Sequence, residues 1–117
     1  MAGQTILIVE DDPDIRDGVR ILLSGEGYHI LEAENGEQSI SVLEQYGTGI
    51  ALLLLDINMP VMDGFEVLDL MNRKHWIEDI PVIIISSENS ASYVRRAYEM
   101  GASDYISRPF DVQVVHQ

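Results

Sequence analysis

The chain has 117 residues, with 20 Asp and Glu against seven Lys and Arg, a formal net charge of −13, and no cysteine. That length suits a single domain, residues 1–117, with one core, and 46% hydrophobic residues argue for a folded chain rather than a disordered one. The charge repels a nucleic-acid backbone, the lack of cysteine excludes a disulfide framework and thiol chemistry, and no apolar stretch reaches the length of a membrane helix.

Residues 6–9, ILIV, are a short branched apolar run closed by Glu10-Asp11-Asp12, which predicts an interior strand. Asp12-Pro13 then offers a cap and a first-turn residue, and Ile15, Val19, Leu22 and Leu23 fall on one helical face that Gly25 and Gly27 end. Residues 28–33 alternate roughly between apolar and polar, a weaker strand, and Ser39, Ile40 and Leu43 mark a second helix after Asn35-Gly36. Residues 50–55 run straight into Asp56; so uniform a run reads as a strand buried on both faces. Phe65, Leu68 and Met71 mark a third helix after Asp63-Gly64, and residues 82–85 a further interior strand. Tyr93, Val94, Ala97 and Tyr98 mark a fourth helix stopped by Gly101, and residues 104–107 a last strand. Strict alternation of strand and helix predicts an α/β fold, a doubly wound five-stranded parallel sheet with helices on both faces. Past Pro109-Phe110, Val112 and Val115 begin a fifth helical pattern too short to bury its face. The expectation is therefore a truncated fifth helix and a fragment of a longer chain.

The strand ends carry the chemistry. The first predicted strand finishes in Glu10-Asp11-Asp12 and the third in Asp56; with those strands adjacent, their carboxyl ends meet at the switch point where open parallel sheets bind ligands. Clustered carboxylates repel unless a cation sits between them. Oxygen-only ligation with waters retained suits Mg²⁺, and the scattered His29, His75 and His116 do not suit zinc. Asp12 is the natural helix cap, but three consecutive acids exceed what capping needs, which leaves Asp11, supported by Glu10, for a metal.

Ser86 and Ser87 follow the 82–85 strand, where a hydroxyl and an N–H could bond an oxyanion. Arg108, held out of helix by Pro109, could pair with Asp56 or a phosphoryl oxygen. Tyr105 is either core packing or a movable ring.

Together VEDDP, LLLLDINMPVMDG, IIISSE and DYISRPF, in this order and spacing, closely resemble the receiver domains of two-component response regulators over nearly the whole chain. The resemblance implies a flavodoxin-like (β/α)5 fold with strand order 2-1-3-4-5. It also implies a cytoplasmic phosphorylation switch. Asp56 matches the phosphoacceptor, whose carboxylate attacks the phosphorus of a phosphohistidine on a sensor histidine kinase or phosphotransfer protein. Asp11 matches the direct Mg²⁺ ligand (Mn²⁺ as the alternative ion), Glu10 the acid that reaches the metal through water, and Asn58 the residue lending its backbone carbonyl. Ser86 matches the switch hydroxyl, Ser87 an N–H donor to the phosphoryl group, and Tyr105 the aromatic that moves with Ser86. Asn58 and Glu88 match positions that tune dephosphorylation. The implied partners are the kinase, an effector domain absent from this chain and, on phosphorylation, a second copy; neither nucleic acid nor membrane is expected as a direct partner.

One position departs from the pattern: receivers usually carry Lys where this chain has Arg108, and the planar, forked guanidinium is no neutral exchange at a tight ion pair. The alternative is therefore a phosphorylation-independent interaction module. Phosphatases of the haloacid dehalogenase type also use a strand-end Asp with Mg²⁺, but their second Asp, two residues on, is Asn58 here. The expectation is a switch rather than a turnover enzyme.

Overall fold

The computed structural model describes residues 3–59, 61–88 and 90–107. Among the described residues five strands alternate with four α-helices: β1 (Thr5–Val9), α1 (Pro13–Gly25), β2 (His29–Ala33), α2 (Gly36–Tyr46), β3 (Leu52–Asp56), α3 (Gly64–Arg73), β4 (Val82–Ser86), α4 (Ala91–Glu99) and β5 (Asp104–Ser107). All pairings are parallel and the strand order is β2-β1-β3-β4-β5, as the resemblance implied. The expected fifth helix lies outside the described residues.

The uniform apolar runs have a direct cause. Side chains alternate across a strand, so Leu7, Val9, Leu53, Leu55, Val82 and Ile84 enter one core with Leu43, Phe65, Leu68, Met71 and Ala97 from α2, α3 and α4. Ile6, Ile8, Leu54, Ile83, Ile85 and Ile106 enter the other, with Val19 and Leu23 from α1. In the three central strands every residue is buried but the first of β1 and of β3, Thr5 and Leu52, and an alternating pattern has no place there. Ile50 is buried but precedes the ladder, so β3 begins two residues later than the apolar run suggests. The strand then runs on to include Asp56, paired with Ile85 of β4.

Each helix starts on a side-chain cap, and those of the first three stand where the sequence places a helix start. Asp12 accepts from the amides of Asp14 and Ile15, Asn35 from Gln38, and Ser90 from Tyr93. Asp63 and Glu66 form a reciprocal capping box. Two expected core residues face solvent instead. Val19 and Leu23 centre the buried stripe of α1, which puts Leu22 at its edge, 51% exposed. On α4 only Ala97 is buried; Tyr98, about 100° further round, is exposed and donates its hydroxyl to Asp104 at 3.1 Å. Among the described residues no helix is long and apolar enough to cross a membrane.

The loop from β3 to α3 holds a strained residue. Val61 has φ +70° and is 74% exposed, a left-handed conformation that a β-branched side chain adopts at a cost. Val61→Asn removes the branch from a residue with no packing role and is expected to stabilise the protein by about 1 kcal/mol, read as a higher urea midpoint at unchanged m-value.

Candidate functional site

The register of the sheet builds the site. Val9 lies opposite Leu55, so the residues just after β1 stand beside Asp56, the last residue of β3. One carboxylate oxygen each from Glu10, Asp11 and Asp56 fall within 4.8 Å of one another. Glu10 and Asp56 are buried, whereas Asp11 is exposed and leaves the cluster open on one side. Ligands opposite one another on Mg²⁺ stand about 4.2 Å apart, so an all-oxygen triad on this scale, charged and partly open, fits a hard divalent cation with water completing its shell.

The Glu10 and Asp56 sides of the cluster are pinned. The Glu10 amide donates to the Ala33 carbonyl at 3.1 Å, extending the β1–β2 ladder by one step. Its carbonyl accepts from Arg16 Nη1 at 2.7 Å, and its Oε2 accepts from the Asp12 amide at 3.2 Å. Asp56 Oδ1 accepts from the Asn58 amide at 3.3 Å. The Gly64 amide donates to the Ile57 carbonyl at 2.9 Å, and a Cβ on Gly64 would stand 2.6 Å from the Asp56 carbonyl oxygen. Gly64 therefore permits the first turn of α3 to lie directly on the end of β3. Asp63-Gly64 is less a chain reversal than a capped helix start at close approach.

Beside this, Ser86 ends β4 fully buried, opposite Ser107 of β5, and its Oγ accepts from the Glu88 amide at 3.0 Å. Ser87 follows it, exposed. Tyr105 donates its hydroxyl to the Glu88 carbonyl. Burial raises the phenol pKa above its ordinary value, a hydrogen bond with Ser86 pulls it down, and the charges of Glu88 and Asp56 raise it further. Ser86, Glu88 and Tyr105 thus form one hydrogen-bonded group joining the ends of β4 and β5. Asn58 is exposed beside Asp56. Arg108 lies outside the described residues.

Sequence reasoning passed over Arg16 and the two close-approach glycines. Arg16 could have been noticed as a cation one turn into the helix that follows the acids, in register with Arg20. Gly36, whose Cβ would stand 2.4 Å from the Met62 carbonyl oxygen, carries no comparable signal, because that contact is remote in sequence.

Known proteins agree with this arrangement. Response regulator RR06 of Streptococcus pneumoniae serotype 2 is 37% identical over 108 residues, which are 92% of this chain and 47% of that protein. The chain spans under half the length of curated relatives of this kind. A solved structure of the CheX-CheY-BeF3-Mg²⁺ complex from Borrelia burgdorferi superposes with a TM-score of 0.88 at 27% identity, over 98% of this chain and 86% of that one. Response regulator TrrA of Thermotoga maritima, solved in complex with Mg²⁺-BeF, superposes at 0.83 with 28% identity, over 97% and 93%. The family model of the response regulator receiver domain matches residues 6–117. That match takes in both acidic strand ends and the Ser86–Tyr105 group, and the chain belongs to this family, the receiver domains of two-component signalling.

Proposed function

We propose that this domain is a Mg²⁺-dependent phosphoacceptor switch in which Asp56 takes a phosphoryl group from the phosphohistidine of a sensor histidine kinase or phosphotransfer protein. The observation that carries the reading is the triad: a buried carboxylate at the end of a rigid strand, with two more within 4.8 Å. An Asp56 oxygen attacks phosphorus, the P–N bond to the donor imidazole breaks, and an acyl phosphate forms. Asp11 and Asp56 would ligate the ion directly, Glu10 through water and Asn58 through its carbonyl. When bound, the ion neutralises charge on the moving phosphoryl group, the main demand of such transfer.

The remaining roles follow the same reading. The Ser86 hydroxyl and the Ser87 amide would bond phosphoryl oxygens, and Arg108 would add a cation. For Ser86 to turn inward it must release the Glu88 amide, and Tyr105 holds the carbonyl of the same residue. Ser86 and Tyr105 therefore report one event, a small shift at the site that biases the surface of α4 and β5. Asn58 and Glu88 flank the acceptor and the hydroxyl, where they would govern access of hydrolytic water. The output passes to an effector domain or a separate partner in the same compartment as the kinase, the cytoplasm.

Incubation with acetyl phosphate should give one phosphoryl adduct by intact mass with Mg²⁺ and none with excess EDTA. No adduct on folded protein would overturn the reading and favour the phosphorylation-independent module that Arg108 raises.

A further inference from the structure

We infer that Arg16 is a positioning residue of the acidic pocket: it fixes the turn that aims Glu10 and Asp11 at Asp56, and it is held in place by Glu32 on β2. Arg16 is only 14% exposed. It bridges the turn after β1 and the side chain of a β2 residue. Nη1 donates to the Glu10 carbonyl at 2.7 Å, and Nε faces Glu32 Oε1 at 3.3 Å. Arg20, one turn on, approaches the other Glu32 oxygen at 3.8 Å. The planar fork of Arg can serve both partners at once, which a Lys ammonium on a flexible stem does not do with the same definition. The contact falls on the backbone of Glu10, so it sets where the following residue goes as well as Glu10 itself. Partners that orient ligands in this way commonly change metal affinity by tenfold or more when lost.

Charge and position make opposite demands here. A guanidinium near three carboxylates competes with a bound cation, so deleting its charge alone would tighten Mg²⁺ binding. A positioning role demands the reverse: the carboxylates lose their common aim and binding weakens. The Mg²⁺ arm of the test rests on the cation site proposed above; the second arm does not.

The experiment is a Mg²⁺ titration of the wild type, Arg16→Met and Arg16→Lys, followed by backbone amide NMR, with hydrogen exchange measured on the same proteins without metal. Both variants are expected to bind Mg²⁺ about tenfold more weakly. The Glu10 and Asp12 amides should exchange faster, while those of Leu54 and Ile84 keep wild-type rates. Glu32→Gln should give a smaller weakening in the same direction. Unchanged or tighter binding by Arg16→Met would overturn the inference. So would unchanged exchange at Glu10 and Asp12, or faster exchange through the whole sheet, which would make Arg16 a general stabiliser. If the wild type itself fails to bind Mg²⁺, the proposed function falls and the exchange arm alone decides for or against Arg16.

Discussion

Asp56→Asn is expected to abolish the phosphoryl adduct entirely and to remove most of the stabilisation that Mg²⁺ confers on the folded protein. The amide is close to isosteric and its oxygen can still accept from the Asn58 amide, as Asp56 Oδ1 does at 3.3 Å, so the local turn is kept. What is lost is a nucleophilic oxygen and one negative charge of three. Two unit charges 4.8 Å apart, the outer limit of the cluster, interact by about 3.5 kcal/mol at an effective dielectric of 20. Binding of a cation that removes such repulsion stabilises the folded state, by about 1.4 kcal/mol at ten times its dissociation constant. The wild-type urea midpoint should therefore rise with Mg²⁺ and that of Asp56→Asn should stay nearly flat over the same concentrations. Without metal the variant should be at least as stable as the wild type, because one member of a repelling set is gone. An adduct on Asp56→Asn would place the acceptor elsewhere. A variant that responds to Mg²⁺ like the wild type would place the cation away from this triad.

The features legible in the sequence are those set by local rules. Residues 50–55 could be recognised as a doubly covered strand because a central strand of a two-layered parallel sheet has no solvent side, although the strand itself is Leu52–Asp56. The convergence of Glu10 and Asp11 on Asp56 followed from the placement of ligands at strand ends. Asp12, Asn35 and Asp63 announced their helices because capping involves neighbours two or three residues away; Ser90, the cap of α4, was passed over. The strand order and the switching roles of Ser86 and Tyr105 came from family likeness, whereas the ability of Ser86 and Ser87 to bond an oxyanion was already suggested by their place at a strand end. Where local pattern misled, the cause was tertiary. The apolar period of α1 admits Leu22, but the sheet covers only the stripe centred on Val19 and Leu23. Tyr98 has the size of a core residue on a helix that buries little more than Ala97. Arg16 was visible as a cation after the acids, but its role was not, because its partners are a carbonyl at the end of one strand and a carboxylate on another. Gly36 and Gly64 stand in the sequence only as residues that precede helices, although what they supply is room for a distant backbone.

That distinction between two kinds of glycine predicts opposite signs for the same substitution. Gly64→Ala should destabilise the protein by about 3 kcal/mol, at the upper end of what overpacking costs. Its Cβ would meet the Asp56 carbonyl oxygen at 2.6 Å and the Ile57 Cα at 2.8 Å. Both are backbone atoms at the end of a central strand, so the first turn of α3 would have to lift away, lengthening the 2.9 Å bond from the Gly64 amide to the Ile57 carbonyl. Gly36→Ala makes a nominally closer clash, 2.4 Å from the Met62 carbonyl oxygen. Met62, however, belongs to a loop rather than to a strand; it is half-buried against the core beside exposed Val61, and a loop gives way at less cost than the end of a central strand. Its cost should be near 1 kcal/mol, at the low end of the same range. Gly18→Ala, in the interior of α1 with nothing within 4 Å of the new Cβ, should instead stabilise by about 1 kcal/mol, the ordinary helix-propensity difference. Urea unfolding of the three variants checks the order. Gly64→Ala should also form the phosphoryl adduct more slowly than Gly36→Ala, because the atom it displaces belongs to Asp56 itself. Equal destabilisation by the two would mean that the loop from β3 to α3 is as rigid as the strand that feeds it, and that the acidic pocket is braced from both sides rather than from α3 alone.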